Sequence, residues 1–129
     1  MVSSGTGPLA SHRVFVVEDE ILIRMLLEDM LADLGYTVAA AAGQLGEAIE
    51  LAKTGDFDLA ILDVNLDGVP VFPVADALAA RGIPFIFATG YGSQSLSGIY
   101  SGYPALQKPF QLEGLRRALA NLVAPVANA

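Results

Sequence analysis

From Arg13 onward, short apolar runs alternate with longer stretches in which apolar residues recur at helical spacing. Residues 14–17, VFVV, form a β-branched and aromatic run of strand length. Apolar residues at 22, 23, 26, 27, 30, 31 and 34 make one stripe, which predicts a helix over 20–34 stopped by Gly35. Residues 37–41 predict a second strand, and 44–53 a helix closed by Gly55. The continuous apolar run 59–62, preceded by Asp56-Phe57-Asp58, predicts a buried central strand. A helix follows over 71–80, with Pro73 in its first turn, because a proline further in would break the hydrogen-bond ladder. Residues 85–88 predict the fourth strand, Leu106 and Gln107 close a fifth, and 112–123 an amphipathic last helix stopped by Pro125.

This order repeats β-α five times, with crossovers long enough for parallel pairing. Right-handed crossovers then give an α/β doubly wound sheet with helices on both faces. One segment conflicts with the pattern. Residues 93–102, SQSLSGIYSG, occupy the place of the fourth helix, yet serine and glycine give them poor helix preference.

Charge and composition narrow the class. With 14 acidic residues, 7 basic residues and one histidine, the net charge is −7. That balance repels phosphate backbones, so no nucleic-acid-binding face is expected. The absence of cysteine excludes disulfides, thiolate metal sites and a thiol nucleophile. Apolar residues make up 53% of the chain, but charges such as Arg24, Glu28, Asp29 and Asp33 interrupt every run before membrane-spanning length. Residues 1–12 lack the basic and apolar regions of a signal peptide. The expectation is a flexible leader over 1–12, one domain over 13–123 and a short tail over 124–129, in a cytoplasmic protein without membrane contact. Six residues after Val123 are too few for a DNA-binding or catalytic module.

In an open parallel sheet, ligands bind beyond the carboxyl ends of the strands. The first strand ends in Glu18-Asp19-Glu20, the third in Asp63, the fourth in Thr89 and Gly90, and the fifth in Lys108-Pro109. Crowded carboxylates repel one another unless a cation sits among them, and hard oxygen ligands with water access suit Mg²⁺. Given a phosphoryl donor, Asp63 is the candidate nucleophile, with Glu18 and Asp19 holding the metal. Thr89 can bond a phosphoryl oxygen, and Lys108 supplies a compact positive charge. Taken singly, each has an ordinary explanation: a helix cap or turn residue for an aspartate, a solvated surface charge for Lys108, a strand-end hydroxyl for Thr89 and a helix-dipole acid for Glu20. The conjunction at four strand ends carries the inference.

The segments VFVVEDE, LAILDVNLDG, FIFATGYG and LQKPF resemble the signature segments of response-regulator receivers, over residues 13–123. The resemblance implies a flavodoxin-like, five-stranded parallel sheet of order 2-1-3-4-5 with five helices. It implies that Asp63 takes phosphate from a histidine kinase or histidine phosphotransferase in a bacterial two-component phosphorelay. It further implies Mg²⁺ held by Glu18 (through water), Asp19, Asp63 and the backbone carbonyl of Asn65, contacts from Thr89 and Lys108 to the phosphoryl group, and a cis bond before Pro109. Such a protein catalyses only its own phosphorylation and dephosphorylation, as a monomer or weak dimer, and passes its signal to a downstream protein. The output face implied is the fourth helix, fifth strand and fifth helix. FATGYG also resembles the alphaproteobacterial single-domain receivers known for a FATGUY motif.

Two departures from the receiver pattern stand out. The loop after Asp63, VNLDGVPV, is short. Ala105 occupies the place, three before the lysine, where many receivers carry a switching aromatic. Gly90, Tyr91 and Tyr103 are therefore the candidate switch and output residues, and the first helix the docking surface for a kinase helical bundle. Asn65, two after Asp63, is a candidate to orient an attacking water.

The alternatives are an aspartate-nucleophile phosphatase, a flavodoxin-like cofactor binder, and an atypical receiver serving as a phosphate sink or a phosphorylation-independent interaction module. The first lacks the second acid that its chemistry wants at position 65, and the second would meet repulsion from Glu18-Asp19-Glu20.

Overall fold

A computed structural model describes residues 12–90, 96 and 98–123. The elements are β1 (Arg13–Val17), α1 (Ile21–Asp33), β2 (Thr37–Ala42), α2 (Leu45–Thr54), β3 (Leu59–Asp63), β4 (Asn65–Leu66), β5 (Val69–Pro70), α3 (Phe72–Ala80), β6 (Phe85–Thr89), a 3-10 turn (Gly98–Tyr100), β7 (Ala105–Gln107) and α4 (Leu112–Val123). The main sheet runs β2-β1-β3-β6-β7, all parallel. Leaving out the small β4–β5 pair, this is the expected order 2-1-3-4-5. None of the described helices is long and apolar enough to cross a membrane.

The strands explain why the sheet is covered on both faces. Successive side chains of a strand point to opposite sides, so a continuous apolar run buries both. Phe15 and Val17, Ala60 and Leu62, and Phe85 and Phe87 face one core, filled by Ala48 and Ala52 of α2 and Val74, Ala75 and Leu78 of α3. Val14 and Val16, Leu59 and Ile61, and Ile86 and Ala88 face the other, filled by Leu27, Met30 and Leu31 of α1 and Leu115 and Leu119 of α4. The ends of α2 and α3 are tied together by Arg81, whose guanidinium donates to the carbonyls of Ala52 (2.7 Å) and Gly55 (2.8 Å). Gly55 is required by close approach: a Cβ there would lie 2.5 Å from the Phe57 ring and 2.7 Å from the Leu51 carbonyl oxygen.

Two local expectations change, while the apolar stripe of α1 divides between core and surface. Leu27, Met30 and Leu31 are in the core, whereas Leu22 is 79% exposed and Ile21, Met25 and Leu26 are exposed as well. The helix starts beyond the carboxyl end of β1, so its first turns have no sheet beneath them. The stretch after Asp63 is a two-residue hairpin, Asn65 pairing Pro70 and Leu66 pairing Val69. Its turn is Asp67 (φ +50°) and Gly68 (φ +87°), the doubly left-handed geometry for which Asp-Gly is suited. Four α-helices stand among the described residues rather than five. Of the serine- and glycine-rich segment they include Leu96 and the 3-10 turn, which fits its poor helix preference; residues 91–95 and 97 lie outside them, as do 1–11 and 124–129.

Candidate functional site

Parallel strands deliver their last residues to one edge, and here they frame a cleft of about 840 Å³. Asp63 is the final residue of β3, with only 7% of its surface exposed. Its backbone is fixed by pairing with Ala88 of β6, and its Oδ1 faces the Asn65 N–H at 3.4 Å. Glu18 follows β1 and is 2% exposed; its Oε2 accepts the Glu20 N–H at 3.1 Å. Thr89 ends β6 and is 3% exposed. Lys108 follows β7, its N–H donating to the Thr89 carbonyl at 2.9 Å, and the Lys108–Pro109 peptide is cis.

The Lys108 ammonium lies between two buried carboxylates, 2.9 Å from Glu18 Oε1 and 3.0 Å from Asp63 Oδ2. Burial would lower its pKa, but the bonds to Glu18 and Asp63 outweigh that and hold it above the ordinary lysine value. Asp63 is pushed the other way from a typical carboxylate. Burial, reinforced by the negative charge of Glu18, raises it to about 6 against the opposing pull of Lys108. A buried carboxylate with a raised pKa beside a fixed cation is the kind of group found at functional sites.

Glu18, Asp19 and Asp63 offer carboxylate oxygens within 4.8 Å of one another. These are hard oxygen donors beside an open cleft that Asn65 also lines, and the set fits Mg²⁺.

The structure brings Asp19, Asp63, Asn65, Thr89, Gly90 and Lys108 to the same cleft. It does not bring Tyr103 there. Tyr103 precedes β7 and lines a separate cavity with Ala79, Ile83, Pro84 and Leu122, at the opposite end of the sheet. Tyr91 lies outside the described residues. Two features escaped the sequence reading. Asp67, at the hairpin tip, lines the cleft, and its Asp-Gly pair was the available signal. Phe72, the first residue of α3, also lines the cleft and stacks on Tyr100. Nothing in the linear pattern marked that contact.

Fold and cleft together define a class, and the chain belongs to it: the response regulator receiver domain family, whose profile matches residues 14–120. It is therefore a receiver domain of response-regulator type. Individual relatives agree. The chain is 34% identical over 124 residues to the transcriptional regulatory protein PdtaR of Mycobacterium tuberculosis, covering 88% of this chain and 60% of that protein. It thus spans less than two thirds of PdtaR. Identity to the chemotaxis protein CheY of Bacillus subtilis is 28% over 114 residues, covering 84% of this chain and 95% of CheY. Among solved structures it is similar to SdrG from Sphingomonas melonis Fr1, with a TM-score of 0.78, 45% identity, and coverage of 89% of this chain and 98% of SdrG. It is similar also to the receiver domain of the response regulator PhyR from Erythrobacter litoralis, with a TM-score of 0.76, 31% identity, and coverage of 93% and 98%. SdrG and PhyR receivers are in keeping with the resemblance read from FATGYG.

Proposed function

We propose that Asp63 is the phosphoacceptor of this receiver and takes its phosphoryl group from a phosphohistidine of a histidine kinase or histidine phosphotransferase. A carboxylate oxygen of Asp63 attacks phosphorus, the P–N bond breaks, and its electron pair stays with the departing imidazole. The observation that carries this reading is the placement of Asp63: buried at the end of β3, open to the cleft, with the Lys108 ammonium 3.0 Å from Oδ2. Lys108 moves its positive charge to the phosphoryl oxygens, and the Thr89 hydroxyl donates to one of them. Glu18 (through water), Asp19, Asp63 and the Asn65 carbonyl would hold Mg²⁺, which would offset the negative charge of the transferring group. The protein acts on no separate substrate; it promotes only its own phosphorylation and the loss of that group.

The Asn65 side chain bears on the lifetime of the phosphoryl group. Its Oδ1 accepts the Gly68 N–H at 2.6 Å, which fixes the residue in the hairpin and leaves its NH₂ to orient an attacking water. The exposed apolar start of α1 (Ile21, Leu22, Met25, Leu26) is the docking surface for the kinase. An apolar cavity of about 280 Å³ continues that surface, where Ile23 and Leu26 meet Lys108, Pro109 and Phe110. The signal leaves through the segment after β6, β7 and α4, toward a downstream protein, in the cytoplasm.

The test is incubation with Mg²⁺ and acetyl phosphate, followed by intact mass and peptide mapping. An acid-stable, base-labile phosphoryl adduct is expected on Asp63 and absent from Asp63→Asn. An adduct that persists in Asp63→Asn, or none in the wild type, would overturn the proposal.

A further inference from the structure

Ala105 is the register partner of Phe87 across β6 and β7, and it offers only a methyl group. Rings reach Phe87 from elsewhere: Tyr100 at 5.5 Å and Tyr103 at 6.0 Å between centroids. Tyr100 is 3% exposed and stacks on Phe72 at 5.5 Å with an interplanar angle of 18°. Its hydroxyl donates to Asp76 Oδ1 on α3 at 2.6 Å. Because Phe72 lines the Asp63 cleft, Tyr100 packs at once on the cleft wall and on the strand that ends in Thr89, and it is bonded to α3.

The turn that carries Tyr100 is flanked by Gly98 (φ +62°) and Gly102 (φ +87°), both in the left-handed region that glycine adopts without strain. Among the described residues, chain neighbours aside, no atom lies within 4 Å of where a Cβ would stand at either glycine. Between these two glycines the turn is seated by the buried Tyr100 ring, which packs on Phe72, Phe85, Phe87 and Tyr103, and by its hydroxyl bond to Asp76, so its position follows that of the rings it touches.

We infer that Tyr100, bonded to Asp76, is the positioning residue that couples the Asp63 cleft to the surface following β6, and that phosphorylation of Asp63 releases it. This rests on the reading of Asp63 as the phosphoacceptor. The latch is closed in the arrangement where the Asp63 carboxylate itself accepts from Lys108. A phosphoryl group adds volume and about 1.5 to 2 negative charges at that point, drawing Lys108 and Thr89 to new partners. Thr89 ends the strand of Phe87, and Phe72 walls the cleft, so both neighbours of Tyr100 are displaced. A contact that favours one arrangement opposes the other, and its removal eases the transition.

The experiment uses the full chain with Mg²⁺ and beryllofluoride, a phosphoryl mimic for aspartate. Adduct formation is read from bound-fluoride ¹⁹F resonances, independently of any tyrosine. The chain has four tyrosines and no tryptophan, and the ¹³Cζ resonance of Tyr100 is assigned as the one missing from Tyr100→Phe. Tyr100→Phe keeps the ring and its stacking, and Asp76 is exposed, so this variant strands no buried charge. The Tyr100 resonance is expected to shift on adduct formation. Tyr100→Phe and Asp76→Ala should each bind beryllofluoride about five- to tenfold more tightly, and the double variant no more tightly than either alone. An adduct that forms with the Tyr100 resonance unmoved, or with unchanged affinity in both single variants, would overturn the latch. Lack of any adduct in the wild type would instead remove the phosphoacceptor reading, and the latch with it.

Discussion

Replacing Lys108 with methionine keeps the length of the side chain and removes the charge that sits between Glu18 and Asp63. The consequence depends on pH in a way the site geometry dictates. Asp63 has a folded-state pKa of about 6 against an ordinary value of 3.8, so its contribution to stability is largest below 3.8 and is lost as pH rises through 6. In the wild type that loss stops near pH 6, because the carboxylate ionises and Lys108 stabilises it. Without Lys108, two buried carboxylates face each other and Asp63 stays protonated to higher pH. Each further pH unit then costs about 1.4 kcal/mol. The expected loss through Asp63 is thus near zero at pH 5, about 1.4 kcal/mol at pH 7 and roughly 3 kcal/mol at pH 8. Urea unfolding followed by circular dichroism, with EDTA present throughout, measures this directly across pH 5 to 8. Adding Asp63→Asn should flatten the dependence, because the titrating group is gone. A loss that is constant with pH, or that shrinks as pH rises, would refute the assignment of Lys108 as the counter-charge of Asp63.

Two further substitutions probe the fold and the docking surface. Gly55→Ala should lower stability by about 1 to 3 kcal/mol in thermal or urea unfolding, since its Cβ would lie 2.5 Å from the Phe57 ring; a neutral result would mean that Phe57 can move aside. Leu22→Ser with Met25→Ser should leave stability within about 0.5 kcal/mol, because both side chains are exposed, while slowing phosphotransfer from a phosphohistidine donor at least tenfold. Acetyl phosphate labelling should be unchanged in that variant, and equal slowing with both donors would argue against a docking role.

Much of the scaffold was legible because its rules are local or periodic. Runs such as VFVV and FIFA alternate between two buried faces, and parallel pairing then sends the residue after each run to one edge. Glu18, Asp63, Thr89 and Lys108 could therefore be placed together from the strand ends alone. The Asp-Gly pair at 67–68 was equally local, yet a two-strand hairpin is too short for alternation to announce it. The stripe of α1 shows a different limit. Spacing shows that Leu22 and Leu26 share a face with buried residues, but whether a sheet lies beneath the first turns depends on where β1 stops.

The cluster around Asp63 shows the same division. Sequence order determined which chemical groups reach the edge of the sheet, because strand direction and connection handedness leave few alternatives. Only the tertiary structure decided that Lys108 sits between Glu18 and Asp63, and so how far burial and charge raise the Asp63 pKa. Only it decided that Tyr100, from a stretch poor in helix formers, fills the space beside Phe87 that Ala105 leaves small. Both outcomes depend on distances between side chains far apart in the chain, and those distances are set by packing rather than by any local preference.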